Sequence, residues 1–470
     1  MSNTYGPYAT NKNNMNDKTN SQYLKTIGNR ILSQANDLKR TPDALAAEIN
    51  IDKDQLMSII NGDSDIKQAL GVIDRMVNTY PISINELLSV QDDTHNGVKK
   101  VDSETSVLSS RIFNRPNSSG NLTPYYEYRD TAMSCTAPFK PEWISQIRYV
   151  DNNDPYNPDV IYNNGHLLHQ VTFFVGPVNF YWESNGKKYC SEMNTGDSNY
   201  ITPFIPHSFT SRKEGEKCYI IAVTFGGKIS EAQDELYKIG SEKVNEIAGD
   251  ARSQSSLFQK RLKRYLGAES VDNDWLTNEL LKKQLDNNDI ETLLAGECTD
   301  IAILEELANT LNINIKDLMV TSIDHDEEVA LSFRDREELR EYPSNSEQSY
   351  KIKALARASR LSYVKGLDIQ IQNDDAIFIS HSLHEYAFNY GEHTVVLNWN
   401  ENEEVMLRPG DSVYIRPFIS HSFKRLNHEQ DGNMVVMRIP GVLTNELLDE
   451  YSCFAIKGRY RTCGENKRWF

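Results

Sequence analysis

The 470-residue sequence predicts an α+β fold built as a tandem repeat: an all-helical, helix-turn-helix-like module followed by a strand-rich barrel, twice over. Three observations lead there. Gly196 to Phe209 reads GDSNYITPFIPHSF and Gly410 to Phe423 reads GDSVYIRPFISHSF, identical at 11 of 14 positions and 214 residues apart, which points to duplication of a whole domain. A second pair, the stretches beginning Asn78-Thr79 and Asn309-Thr310, matches as NT-x-x-I-x-I-x-x-L and sets a helical unit before each barrel. The segments around the first pair alternate β-branched and aromatic residues between Gly, Asn and Asp turns, the period of strands.

Each element follows in order. Residues 1–20 are Asn-rich and polar, without the apolar core of a signal peptide, and are expected to be a disordered tail. Residues 21–95 form the first helical module. Leu24, Ile27, Ile31 and Leu38 recur at helical spacing, Thr41-Pro42 reads as an N-cap with proline at the first helical position, and short helices follow over 45–49, 55–60 and 66–77 around the breaker Asn61-Gly62-Asp63. Residues 96–228 make the first barrel, 229–325 a connecting helix over 229–248 and the second helical module, and 326–470 a second barrel expected to be degenerate and structural. A Gly-Asp turn, a strand and then Pro-x-x-x-His-Ser-Phe is the second half of a cupin-type β-jelly roll, whose mouth is lined by inward side chains.

Composition narrows the function classes. Hydrophobic content of 39% and charged content of 25% fit a soluble globular protein, and no apolar run approaches the ~20 residues of a membrane helix. Six cysteines without CxxC spacing argue for a reduced, cytoplasmic setting over a zinc ribbon or disulfide framework. A net charge of −17 speaks against nucleic acid or anionic membrane as partners, though a small anion can still sit in a local basic pocket. Helix-turn-helix modules beside ligand-sensing barrels suggest a transcription regulator as the alternative of another class. Residues 21–90, however, carry seven Lys and Arg against nine acids, which leaves no basic face for phosphate contacts.

The chemistry is expected at the repeated histidine. His166 and Gln170, four apart on an expected strand, share one face while His169 points away, and His207 arrives 41 residues after His166. This His-x-x-x-Gln…His set is similar to the facial triad of non-haem iron with an amide in the carboxylate's place. The bland alternative is two hydrogen-bonded barrel histidines and a polar lining residue. In the second barrel the aligned set is His381, Glu385 and His421. It has the carboxylate but lacks the Asn-x-Gly-His turn and any evident basic or tyrosine companions, so it is taken as a structural remnant.

The module order together with Asn163-Asn164-Gly165-His166 resembles the phosphonate-processing non-haem iron oxygenases, a family that includes hydroxyethylphosphonate dioxygenase, methylphosphonate synthase and hydroxypropylphosphonate epoxidase. The resemblance covers nearly the whole chain beyond the tail. It implies Fe(II) on His166, Gln170 and His207, and a phosphonate held by Lys39, Arg115, Tyr128 and Asn163, with Lys39 and Tyr128 in catalytic roles. Arg111 and Tyr126 are the near neighbours most easily confused with Arg115 and Tyr128. A forked guanidinium, an ammonium and neutral donors suit an oxyanion whose hydration must be replaced. Where the dioxygenases of the family place a glutamate ligand this chain has Thr202. A His-x-x-x-Gln set resembles the methylphosphonate synthases, which implies conversion of 2-hydroxyethylphosphonate and O2 to methylphosphonate and CO2; hydroxymethylphosphonate and formate are the alternative products. A homo-oligomer stays open, as does whether Lys39 acts in its own chain or a partner's.

Overall fold

In the computed structural model, which describes residues 17–250, 253–320 and 328–464, helices and strands alternate twice along the chain. Helices Asp17–Asp37, Pro42–Glu48, Lys53–Asn61, Ile66–Thr79 and Ile84–Leu87 pack around one apolar core that includes Ile27, Ile31, Leu45, Leu56, Ile73 and Met76. Their ends follow local chemistry. Thr41 Oγ1 accepts from Ala44 N with Pro42 behind it, Asp52 and Asp65 cap the next two helices, and Gly62 closes the third at φ +78°. The first helix begins at Asp17, so residues 17–20, expected in the tail, are helical; residues 1–16 of that expected tail lie outside the described residues. A second helical group, Gln254–Glu269, Asn273–Lys282, Asn287–Leu294 and Ile301–Leu311, has its own core of Leu262, Leu276, Leu293 and Leu307. The repeated NT-x-x-I stretch ends each group with a short capped turn: Ser83 caps Ile84–Leu87, and Asn314 caps the 3-10 turn Ile315–Asp317. The single connecting helix expected over 229–248 is instead three short ones, Lys228–Glu231, Gln233–Ile239 and Ser241–Ala248, with Gly240 at φ +86° between the last two. Among the described residues no helix is long and apolar enough to cross a membrane.

Among the described residues the strands form two antiparallel seven-stranded sheets and two three-stranded ones. The first large sheet runs Val329–Ser332, Ser198–Ile201, His169–Val175, Tyr219–Phe225, Phe139–Gln146, Leu122–Asp130, Arg111–Pro116. The second repeats that order strand for strand: Val98–Val101, Ser412–Ile415, His384–Asn389, Gly432–Ile439, Lys365–Ile371, Tyr350–Ala354, Arg340–Tyr342. Each is faced by a small sheet, Lys187–Met193, Val178–Ser184, His207–Ser211 in one half and Glu403–Leu407, Val395–Trp399, His421–Arg425 in the other. Within Tyr219–Phe225, Ile220 and Ala222 point into the core shared with the small sheet, while Ile221 and Val223 point into a core shared with the other half. Burial on both faces explains why this strand is continuously apolar rather than alternating.

The first strand of each large sheet comes from the other half of the chain. Val98–Val101 pairs with Ser412–Ile415 of the second sheet, and Val329–Ser332 with Ser198–Ile201 of the first. The expected divisions at 96–228 and 326–470 therefore each hold one strand of the other half's sheet. Edge pairing is made by backbone groups between distant segments, which leaves no mark in the side-chain pattern, and it covers an edge otherwise open to association. The Gly-Asp-Ser of the repeated sentence clasps this exchange. Asp197 Oδ1 accepts from Arg334 N at 2.9 Å and Asp411 Oδ1 from Ser103 N at 2.8 Å. Ser198 Oγ accepts from Ala356 N at 2.8 Å and Ser412 Oγ from Ala132 N at 2.9 Å.

Candidate metal centre

Gln170 is the second residue of strand His169–Val175, and His207 opens the strand His207–Ser211 on the facing sheet. His166 is not on a strand, which corrects the expectation that period-two alternation aligns it with Gln170. A bend at Leu167 and Leu168 does so instead, bringing His166 Nε2 to 3.2 Å from Gln170 Oε1. Gly165 makes the approach possible: it sits at φ +72°, and a Cβ there would stand 2.5 Å from the Phe204 carbonyl carbon. The His166 and His207 rings meet edge to face with centroids 5.4 Å apart. His169, on the opposite face, is bonded to Tyr200 Oη at 2.8 Å.

Hydrogen bonds set which ring nitrogens carry the hydrogen. Nδ1 of His166 lies 2.8 Å from the Leu168 carbonyl, and Nδ1 of His207 lies 2.8 Å from that of Ile205. A carbonyl only accepts, so each Nδ1 carries the hydrogen, and in the neutral ring Nε2 is then the acceptor. Burial pushes His207 down to about 4, which keeps its imidazole neutral at pH 7. Gln170 donates its amide N–H to Thr172 Oγ1 at 2.9 Å, which turns Oε1 toward His166. Two acceptors 3.2 Å apart with no hydrogen between them fit a cation. Donors about 2.1 Å from one ion and at right angles to each other stand about 3 Å apart, and Fe(II) takes such N,O sets.

The four anion-binding candidates fall in different surroundings. Asn163 Oδ1 accepts from Gly165 N at 2.9 Å and from His207 N at 3.0 Å. That fixes the amide so that Nδ2 donates to His207 Nε2, also at 3.0 Å. Tyr126 and Tyr128 separate cleanly. The Tyr126 hydroxyl is bonded to Ser208 Oγ at 3.2 Å and accepts from Phe209 N at 2.9 Å, whereas that of Tyr128 carries no hydrogen bond among the described residues. Burial, then the neighbouring Glu142, raise Tyr128 to about 12 against the pull of Arg115 and Arg111, so its proton stays on. Arg111 is paired with Asp130 at 2.8 Å, while the Arg115 guanidinium has no ion pair among the described residues. Lys39 lies just beyond the first helix; its ammonium donates to the Asp37 carbonyl at 2.7 Å, a bond that ties it to its own helix end rather than to His166 or His207.

Two residues were missed. Burial lifts the Glu142 carboxyl above its ordinary range against Arg111, and His166 is among the charges it feels. Its signal is a lone acid in the strand Phe139–Gln146, beside the buried Trp143 and Ile144. Arg360, 158 residues beyond Thr202, donates to Thr202 Oγ1 and, at 3.1 Å, to Tyr200 Oη, so the second half of the chain fills the place where a glutamate was sought. No sequence pattern announces that contact.

In the second half of the chain the ligand atoms of His381, Glu385 and His421 lie within 4.8 Å of one another. His381 Nε2 is 2.8 Å from Glu385 Oε2, and His421 Nε2 is 3.0 Å from Oε1. Burial pushes the Glu385 carboxyl up, but Arg438, with Nε 2.6 Å from Oε2, and then the two imidazoles outweigh it and hold the group well below the usual range. Across the sheet Gln170 faces Thr224, whereas Glu385 faces Arg438. Carboxylate for amide is thus matched by guanidinium for hydroxyl. Strand register puts Ile352 where Tyr128 stands, so the matches in this half fall on the neighbours Arg111 and Tyr126 and not on Arg115 or Tyr128. Tyr350 Oη accepts from Phe423 N at 2.9 Å as Tyr126 does from Phe209 N, and Arg340 opposite Ile352 stands where Arg111 stands opposite Tyr128.

Methylphosphonate synthase of Nitrosopumilus maritimus (strain SCM1) is 35% identical over 460 residues, 95% of this chain and 96% of that protein. The structure of Streptomyces albus HEPD with 2-hydroxyethylphosphonate and Fe(II) bound superposes with a TM-score of 0.85 at 29% identity, covering 97% of this chain and 100% of that one. Native PhpD with cadmium atoms shares the fold at a TM-score of 0.70 and 16% identity, over 93% of this chain and 98% of that one. No family model matches the chain. Fold and relatives together define an iron-dependent oxygenase. The chain belongs to the methylphosphonate synthase family.

Proposed function

We propose that this enzyme converts 2-hydroxyethylphosphonate and O2 to methylphosphonate, CO2 and water, using Fe(II) held by His166, Gln170 and His207. The observation that carries the assignment is the pair of bare acceptors, His166 Nε2 and Gln170 Oε1, facing each other at 3.2 Å. Bound Fe(II) supplies the one-electron redox chemistry that O2 requires. The carbon lost as CO2 provides the four electrons, so no external reductant enters the balance. On this reading Arg115 and Lys39 neutralise the phosphonate and the unspent Tyr128 hydroxyl donates to it. The Asn163 amide N–H, now satisfied by His207 Nε2, becomes available to a phosphonate oxygen once a cation takes that nitrogen.

Each pair of sheets is read as a cupin-type jelly roll and the helical groups as helix-turn-helix-like covers of the mouths. All six cysteines are free, which suits the cytoplasm. Anaerobic loading with Fe(II), addition of 2-hydroxyethylphosphonate and O2, and phosphorus NMR test the assignment: a methylphosphonate product is expected. Hydroxymethylphosphonate would favour the second reading, a hydroxyethylphosphonate dioxygenase, which the similarity to the Streptomyces albus structure supports. Absence of turnover would refute both.

A further inference from the structure

Beside Glu385 the second barrel opens a cavity of about 340 Å³ that the proposed reaction leaves unused. Its floor is apolar, with Leu367, Ile369 and Phe423, and its rim carries Arg340 and Arg438. Arg438 spends Nε on Glu385 at 2.6 Å, and its terminal guanidinium nitrogens make no hydrogen bond among the described residues. The side chain of Arg340 has no hydrogen bond or ion pair among the described residues, nor have those of Arg357 and Lys365. Lys365 lies directly across the sheet from Arg438.

These cations act on one another. Burial, then Arg357 and Arg438, lower Arg340; burial, then Arg357 and Arg340, lower Lys365. Against them the cavity presents one acid outside the Arg438 pair, Glu341. With that single acid against Arg340, Arg357 and Lys365, positive charge is in excess here, and a bound anion would offset the repulsion.

We propose that the second barrel binds a small tetrahedral oxyanion, inorganic phosphate or a short alkylphosphonate, in the fork between Arg340 and Arg438. Paired guanidinium N–H groups match the oxygen spacing of such an anion, and the volume lies at the small end of ligand pockets. The apolar floor accommodates a one- or two-carbon substituent. The site stands apart from the reaction assigned to the first barrel.

Titration calorimetry of the full-length, chelator-treated protein with inorganic phosphate, and separately with methylphosphonate, tests the proposal. Arg340 is exposed on the short edge strand Arg340–Tyr342, so Arg340→Gln is a tolerable change. It should weaken one binding event at least about tenfold, with Arg340→Lys intermediate, since a bond to a charged group contributes more than 1.4 kcal/mol. Loss confined to phosphate identifies the free anion as ligand; loss confined to methylphosphonate identifies the alkylphosphonate. Superimposable isotherms of wild type and Arg340→Gln with both ligands, including no binding by either, overturn the proposal. So does a fall in kcat of the iron-loaded Arg340→Gln enzyme parallel to its loss of binding, because the residue would then serve the first site.

Discussion

Replacing Glu385 by Gln tests the charge balance of the second pair of sheets. The wild-type carboxylate is fully buried and meets Arg438 at 2.6 Å, His381 at 2.8 Å and His421 at 3.0 Å. An amide keeps the shape but leaves a guanidinium without its counter-charge, and breaking a buried pair from one side costs about 3–5 kcal/mol. At roughly 2–4 °C per kcal/mol for a unit of this size, the unfolding transition should fall by roughly 6–20 °C, read by circular dichroism at neutral pH. The pH dependence has a definite sign. Glu385 titrates well below its ordinary 4.5 in the folded protein, so its contribution is complete above about pH 4.5 and is lost as pH falls through the folded value. In urea denaturation the gap between wild type and Glu385→Gln should therefore be constant from neutral pH down to about 5 and close at lower pH. Equal melting temperatures at neutral pH, or a gap unchanged in strong acid, would refute the account of Glu385 as an ionised carboxylate held by Arg438.

Further outcomes follow from the geometry. With two imidazoles and a neutral amide as ligands, a bound Fe(II) keeps its full charge until an anion arrives; titration should show iron binding at least about tenfold tighter with 2-hydroxyethylphosphonate present, and equal affinities would contradict this. Tyr126→Phe deletes a hydroxyl bonded to Ser208 and Phe209 and should cost about 1–3 kcal/mol in urea denaturation; Tyr128→Phe should change stability by less than about 0.5 kcal/mol and raise KM instead. Gly165→Ala forces a Cβ to 2.5 Å from the Phe204 carbonyl carbon and should abolish metal binding by displacing His166, while circular dichroism stays near wild type. Asp411→Ala strips the acceptor from Ser103 N and the counter-charge from Lys100 at 2.7 Å, and should lower the melting temperature of both halves together, because the exchanged strands join them.

Local and periodic features could be read directly from the chain. Thr41-Pro42, Asp52, Asp65 and Gly62 announce helix ends because capping is a contact within three or four residues. The spacing of His166, Gln170 and His207 was legible because a near-identical repeat fixed the frame, even though the strand argument for His166 was replaced by a bend. The partners that give these residues their character were not legible. Arg360 reaches Thr202 across 158 residues, and Arg438 meets Glu385 across 53. Arg340 and Tyr350 could be matched to Arg111 and Tyr126 only once strand register was known.

By itself, then, the sequence determined a duplicated helix-and-strand chain with a His-x-x-x-Gln…His set, because duplication, capping and side-chain periodicity are written in neighbouring residues. Tertiary structure alone decided that the two opening strands trade places and that Gly-Asp-Ser clasps the exchange. It alone decided that one histidine pair faces an amide and a threonine, the other a carboxylate and an arginine. Backbone pairing between distant strands carries no side-chain code, and the field at a buried group is the sum of charges brought from every strand that packs against it.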